Sequence, residues 1–349
     1  MIPTGNQQIV LNRRPTGLPV EQDFAVREAP VPVAGQGQVL VRTLMVSIEP
    51  AMRGWVLDAP NYLPPVPVGS PMRSFGIGEI VTSDIEDYRP GDLVVGFTGW
   101  QEWATLEKTQ IQRRIDPDLA PISTALGVLG LTGLTAYVGM LDIGQPQRDS
   151  TVVVTSAAGA VGSTAGQLAV LRGARVVGVA GSDEKCRQCV DYFGFDAAVN
   201  YRAESNLAEA IRRRCPDGVD VLFDSVGGTT LDAILDNINI GARVAICGTM
   251  SLPPDGRAVG PRIERRLLVN RVSVQGFLAT DHFSRFDRIV GEMAEWLGDG
   301  KIRYLEDIAP ELADAPSALV RLLESRNTGK SLVRVGLWEE GRNEWWERQ

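Results

Sequence analysis

Histidine is nearly missing from this chain: there is one, His282, in 349 residues. Cysteine is scarce and late, with Cys186, Cys189, Cys215 and Cys247 and none earlier. A catalytic zinc needs Cys, His and carboxylate ligands in close array, so these shortages argue against a metal enzyme. Cys186 and Cys189 form a Cys-x-x-Cys pair without a second pair, in a stretch patterned as a helix. Three residues apart, they share a helix face and are expected to pack together against a sheet. No metal is expected.

Two other classes are disfavoured. Basic residues are outnumbered, 35 against 43 acidic, for a net charge of −8. Nucleic acid as the main partner would call for a basic face. No apolar run reaches the roughly 20 residues of a membrane span. The nearest, Ala125–Leu141, is uncharged but carries Gly127, Gly130, Gly133 and Gly139. It reads as a helix buried between domains. The N-terminus lacks a basic-then-apolar leader pattern, so reduced thiols and a cytoplasmic location are expected.

The pattern changes along the chain. Residues 1–124 are rich in proline and glycine, with short alternating runs such as Gln38–Val46, Gly78–Thr82 and Asp92–Phe97. These read as strands of a small β-rich domain. Residues 125–298 alternate strands with helices. The expected strands are Thr151–Thr155, Arg175–Ala180, Ala197–Asn200, Val219–Phe223, Arg243–Cys247 and Val272–Gly276. Helices are expected over Val161–Leu171, Glu184–Phe193 (with Asp183 as cap), Leu207–Arg214 and Leu231–Ile238. Six short buried strands, mostly separated by helices, make an α/β doubly wound parallel sheet. After the Gly298-Asp-Gly300 break, one helix (Ser317–Glu324) and one strand (Ser331–Val335) are assigned, with all of 299–349, to the first domain. The α/β domain would thus be an insert. The extreme end carries Trp338, Trp345 and Trp346, which suit a packed tail or an oligomer contact.

The turn Ala157-Ala158-Gly159-Ala160-Val161-Gly162 follows a strand and opens a helix, the setting of a dinucleotide fingerprint. Gly159 lets backbone approach a pyrophosphate. Gly162 lets the helix pack on the strand, and the helix start offers free N–H groups to phosphates. Ala157 stands where the first glycine usually falls. An NAD site usually has an acid at the end of the second strand, on the ribose hydroxyl. Here that strand ends Ala180-Gly181-Ser182, with Asp183 just past it. Ser182, Lys185 and Tyr201 could serve a 2′-phosphate, with Arg202 close by, so NADPH/NADP+ is the expected cofactor.

These residues carry a resemblance. The segments are Ile9–Pro15, Ser47–Gly54, Gly133–Tyr137, Ala157–Ser163, Gly181–Lys185, Phe223–Gly228, Cys247–Thr249, Gln275–Phe277 and Asn327–Lys330. The chain resembles the zinc-independent medium-chain dehydrogenase/reductase superfamily. Within it, the chain is similar to the branch of prostaglandin (leukotriene B4) reductases and curcumin reductases. The resemblance spans nearly the whole chain. It implies a GroES-like substrate domain around a Rossmann domain, with the active site in the cleft. It implies that Lys185 and Tyr201 hold the 2′-phosphate. Thr135, Ser225, Val226, Phe277 and Leu278 would lie near the nicotinamide. Cys247, Gly248, Thr249 and Asn327 would line the cofactor groove. Where zinc-dependent relatives carry Gly-His-Glu, this chain has Arg73-Ser74-Phe75. A homodimer is also implied, with Val272–Phe277 as a pairing edge.

The reaction implied is hydride transfer to the β-carbon of an α,β-unsaturated ketone or aldehyde, then protonation of the enolate. Relatives often carry tyrosines around the substrate. Two such positions are Ala51 and Met250–Leu252 here. Tyr62, in a proline-stiffened loop, is the candidate acid. Water or a ribose hydroxyl is an alternative donor, and an anchoring role for Tyr62 stays open. Arg53 could bind an anionic substrate group. Two other readings remain: an NADPH-dependent quinone reductase, and a non-catalytic NADPH-binding redox sensor.

Overall fold

The computed structural model describes residues 2–58, 63–252 and 258–336. Tyr62 and the tryptophans 338, 345 and 346 lie outside them. The first seven strands are β1 (Gly5–Leu11), β2 (Phe24–Pro30), β3 (Gln38–Ser47), β4 (Gly76–Ser83), β5 (Leu93–Gly96), β6 (Trp103–Glu107) and β7 (Ile111–Ile115). Six more follow: β8 (Thr151–Thr155), β9 (Arg175–Ala180), β10 (Ala197–Asn200), β11 (Val219–Asp224), β12 (Ile238–Ile246) and β13 (Ser273–Gly276). The last two are β14 (Glu306–Ala309) and β15 (Lys330–Arg334). The chain divides into two compact units, Met1–Leu126 with Glu306 onward, and Gly127–Leu305.

In the first unit β1 and β2 pair antiparallel. A second sheet runs β14-β15-β3-β4-β5-β7, with β6 also on β3. Alternation sends Val39 and Val41 of β3 inward to meet Ile80, Val94 and Leu106. Ile9, Val46, Met52, Trp100, Leu319 and Val333 build the other core. Residues 306–336 belong here because β15 pairs antiparallel with β3, Leu332 opposite Ser47.

The second unit holds six parallel strands in the order β10-β9-β8-β11-β12-β13. Numbered within the unit, that is 3-2-1-4-5-6, the doubly wound order of a Rossmann sheet. β8 is buried along its whole length, since helices cover both faces of such a sheet and select Val and Thr. The helix Ala160–Leu171 packs closely because Gly166 faces the Phe195 ring, where a Cβ would lie 2.0 Å from Cζ.

Several local expectations change. This unit runs to Leu305, past the 298 boundary read from the glycine break. Gln167 clasps the later turn, donating to the Arg303 carbonyl (2.8 Å) and accepting its N–H (2.7 Å). The apolar stretch 125–141 becomes an α-helix only from Leu131, after a 3-10 helix that ends at Leu126, and is followed by a π-helical turn Val138–Gly144. Before it the chain folds back on Gly133, whose Cβ would meet the Val128 oxygen at 1.8 Å. The helix at Asp183–Arg187 is capped by Ser182, not Asp183, because Ser182 has extended backbone and its side chain accepts the Lys185 N–H. Cys189 is buried while Cys186 is half-buried, so the pair does not enter the core together. The sixth strand, β13, is exposed at all four residues, as it is the sheet's edge. No helix among the described residues is long and apolar enough to cross a membrane.

Candidate dinucleotide site

All sequence-expected cofactor residues of the second unit except Thr135 follow the carboxyl ends of its strands. The turn Ala157–Gly162 follows β8, Ser182 and Lys185 follow β9, and Tyr201 follows β10. Ser225 and Val226 follow β11, Cys247–Thr249 follow β12, and Phe277 and Leu278 follow β13. Ligands of open α/β sheets bind outside this edge, where the strand order reverses. The reversal falls between β8 and β11.

The turn after β8 is tight. Ser156 adopts a left-handed φ of 51°. The Gly159 N–H donates to the Ser156 carbonyl at 2.9 Å. Gly159 then caps the helix Ala160–Leu171 from an extended conformation. A Cβ on Gly162 would lie 2.4 Å from the Ser156 oxygen. Glycine at 162 therefore seats the helix start against the turn. The first N–H groups of this 12-residue helix, beginning at Ala160 and Val161, lack intrahelical acceptors and lie at the strand edge.

At the end of β9 and β10, Ser182 Oγ accepts the Lys185 N–H at 3.2 Å. Arg202 Nε donates to Tyr201 Oη at 3.2 Å, and its guanidinium lies over the Tyr201 ring at 5.6 Å. A Cβ on Gly181 would approach Tyr201 Cε1 at 3.2 Å. The acid nearest the β9 end, Asp183, accepts a hydrogen bond from Asn200 Nδ2 at 2.7 Å. The corner thus holds a hydroxyl, a phenol and the Arg202 guanidinium, with Lys185 in the first turn of the helix that follows. Arg202, which sequence reasoning noted only as a neighbour, stacks on Tyr201 here.

Asp224, at the end of β11, was missed altogether. It is fully buried and organises the next turn. Its carboxylate accepts from Thr155 Oγ1 (2.7 Å), Val226 N (3.0 Å) and Gly227 N (3.0 Å). Burial raises its pKa, and those three hydrogen bonds act against the rise. Thr155 Oγ1 in turn accepts the Ser225 N–H at 2.8 Å. Gly227 and Gly228 have φ of 71° and 58°, which the sequence satisfies with two glycines. Ser251 Oγ ties the β12 loop to the Val226 carbonyl at 2.8 Å. Ser225 Oγ lies 3.1 Å from Cys247 Sγ. Burial pushes the Cys247 thiol up to about 12, so it is protonated at neutral pH.

Phe277 is held by close approach to the π-helical turn. A Cβ on Gly139 would lie 2.7 Å from Phe277 Cζ and 2.4 Å from Phe223 Cε2. Leu278 is exposed beside it. Thr135 sits on the helix Leu131–Tyr137 and donates to the Leu131 carbonyl at 2.7 Å, leaving its oxygen able to accept. Tyr137 donates to Glu292 at 2.7 Å, a structural use of its hydroxyl.

In the first unit, Arg53 lies on the short helix Met52–Trp55. Asn327 is buried, and its Nδ2 donates to the Gly329 carbonyl at 2.9 Å. The positions that hold Gly-His-Glu in zinc enzymes do not fit a metal. Arg73 donates to the Pro64 carbonyl at 2.8 Å, Ser74 donates to the Ser47 carbonyl at 2.6 Å, and Phe75 stacks on Phe97 at 4.2 Å. Among the described residues no group of three or more His, Cys, Asp or Glu could hold a metal.

Fold and strand-edge turns together define a dinucleotide-binding α/β protein joined to a β-rich unit. Residues 7–113 match the family described as N-terminal domain of oxidoreductase, and residues 160–295 match the one described as zinc-binding dehydrogenase. The NADPH-dependent curcumin reductase of Escherichia coli (strain K12) is 40% identical over 337 residues, 95% of this chain and 97% of that protein. The 2-alkenal reductase (NADP(+)-dependent) of Nicotiana tabacum is 36% identical, covering 95% and 97%. The crystal structure of CurA from Vibrio vulnificus in complex with NADPH superposes with a TM-score of 0.89 at 37% identity, covering 95% and 100%. The chain belongs to the zinc-independent medium-chain dehydrogenase/reductase superfamily, in the branch of the curcumin, alkenal and prostaglandin reductases.

Proposed function

We propose that the protein is an NADPH-dependent reductase of the carbon–carbon double bond of α,β-unsaturated ketones and aldehydes. The observation that carries this reading is the shared strand edge, where the Gly159–Gly162 turn and the Ser182–Lys185–Tyr201–Arg202 corner both fall. Relatives that span the chain are named for reduction of curcumin and 2-alkenals with the same cofactor.

The residues divide the work. Ala158–Gly162 would bind the pyrophosphate through backbone N–H groups. Ser182, Lys185, Tyr201 and Arg202 would hold the 2′-phosphate, a doubly charged group that suits charge-assisted bonds. Thr135, Ser225, Val226, Phe277 and Leu278 would orient the nicotinamide end, with Cys247, Gly248, Thr249 and Asn327 lining the groove. Bound NADPH would supply the hydride. The substrate's β-carbon accepts it, and negative charge moves to the carbonyl oxygen as an enolate, which a proton at the α-carbon then quenches. Tyr62 is the proposed proton donor, and Arg53 the proposed anchor for an anionic substrate group. Enone reduction needs no Lewis acid for this sequence of steps, in keeping with Arg73-Ser74-Phe75.

We also propose a homodimer, supported by the exposed edge β13 and exposed Leu268, Val269 and Val274. Light scattering tests it. A cytoplasmic location is proposed on the four unpaired thiols. The test of function is a panel of enones, enals and quinones with NADPH, read by product identification. Saturated ketone or aldehyde supports the reading. Hydroquinone alone would replace it with quinone reduction, and tight NADPH binding without turnover would favour a sensor.

A further inference from the structure

Only four of the chain's 35 basic residues are lysines: Lys108, Lys185, Lys301 and Lys330. Lys330 is buried in the first unit and serves none of the roles above. Its ammonium donates to Ser47 Oγ at 2.6 Å and to the Ile48 carbonyl at 3.3 Å. Glu49 Oε1 lies 3.7 Å away and accepts from the same Ser47 hydroxyl at 2.8 Å. Glu306 stands opposite Lys330 across the β14–β15 ladder. Its Oε1 is sealed from solvent with no hydrogen-bond partner.

A buried ammonium is costly unless every donor is met, and an apolar side chain in its place is often as stable. Register alone does not call for it. The β15–β3 ladder and the Ile48 N–H to Ser331 carbonyl bond (3.1 Å) already align these strands. What the ammonium adds is a fixed place for Ser47, Ile48 and Glu49 at the end of β3. The next turn starts there. The Glu49 carbonyl accepts the Met52 N–H at 3.0 Å, and the Pro50 carbonyl accepts the Arg53 N–H at 3.1 Å. Buried Met52 and Trp55 lock the helix that follows, and Arg14 binds its end at the Val56 carbonyl (3.0 Å).

We propose that Lys330 is a positioning residue, which through Ser47 and Glu49 sets the turn that presents Arg53 to the anionic group of a carboxylate-bearing enone. This rests on the assignment of Arg53 to substrate. The guanidinium can select a carboxylate by paired hydrogen bonds only if its helix start is held to within about 1 Å.

The test compares an enone carrying a carboxylate with its methyl ester, using wild type, Lys330→Met, Arg53→Ala and the double variant. Lys330→Met is expected to raise KM for the acid about tenfold, with KM for the ester and the Kd for NADPH within about twofold. The double variant should be no worse than Arg53→Ala alone, since both remove one interaction. If Lys330→Met does not fold, Ser47→Ala, which removes the acceptor at 2.6 Å, completes the same cycle. Equal losses for acid and ester, or penalties that multiply in the double variant, would overturn the proposal and leave Lys330 a fold-stabilising residue. If Arg53→Ala itself leaves the acid's KM unchanged, the substrate role of Arg53 fails, and the route through Lys330 fails with it.

Discussion

Ser182 and Lys185 are joined by a helix cap, with the serine Oγ accepting the lysine's backbone N–H at 3.2 Å. The cap puts the lysine in the first turn after β9, and Tyr201 and Arg202 crowd Gly181 at the end of the same strand. Loss of one charge-assisted bond to a phosphate costs about 1.5–3 kcal/mol. Lys185→Ala should therefore weaken NADPH by roughly one to two orders of magnitude and NADH hardly at all. Fluorescence titration with both cofactors checks this, and equal losses would remove Lys185 from the phosphate corner.

Asp224 holds the turn beside the proposed nicotinamide end. Asp224→Ala would strand the Val226 and Gly227 N–H groups and the Thr155 hydroxyl, at about 1–3 kcal/mol for each group left buried and unpaired. Both the denaturation midpoint and NADPH affinity should drop. Asp224→Asn keeps one acceptor oxygen and should fall between. A folded Asp224→Ala with wild-type NADPH affinity would show that the turn does not need its carboxylate.

Two glycine substitutions should have opposite signs. Gly162→Ala puts a methyl 2.4 Å from the Ser156 oxygen, a backbone atom that cannot step aside. It should cost roughly 1–3 kcal/mol and weaken cofactor binding. Gly291, within the helix Phe286–Gly298, has open space around the new Cβ. Gly291→Ala should stabilise by about 0.4–1 kcal/mol. Urea midpoints of the two variants decide the matter.

Glu306 gives a pH dependence of stability. Burial pushes its carboxyl up from 4.5 to about 7, with Ser123 and the Lys330 charge acting against the rise. The folded protein then holds a proton that the unfolded chain has already lost between those values. Its stabilising contribution is full below 4.5 and falls as pH rises through about 7. Glu306→Gln should flatten that decline in midpoints measured from pH 5 to 8. An unchanged slope would mean that other groups set it.

What the sequence made legible was local. The fingerprint after β8 and the β-branched runs of the parallel strands each sit within a few consecutive residues, where side-chain period and glycine carry the signal. The cap at Ser182 was misread because Asp183 is an equally good capping type, and only the backbone at 182 decides between them. The partners of Asp224 include Thr155, 69 residues away, and Lys330 meets Ser47 across 283. No periodicity links such positions, so the buried carboxylate and the buried ammonium emerged only from the fold. The extent of the second unit to Leu305 is hidden for the same reason, since Gln167 reaches Arg303 across 136 residues.

The central claim is reduction of an activated double bond at the expense of NADPH. Its most direct measurement is transfer of deuterium from NADPH carrying two deuterium atoms at C4 to an α,β-unsaturated ketone, followed by mass and NMR analysis of the product. Deuterium at the β-carbon of a saturated ketone, with NADH far less effective, is the expected result. Deuterium at the carbonyl carbon of an allylic alcohol, or none transferred, would contradict it.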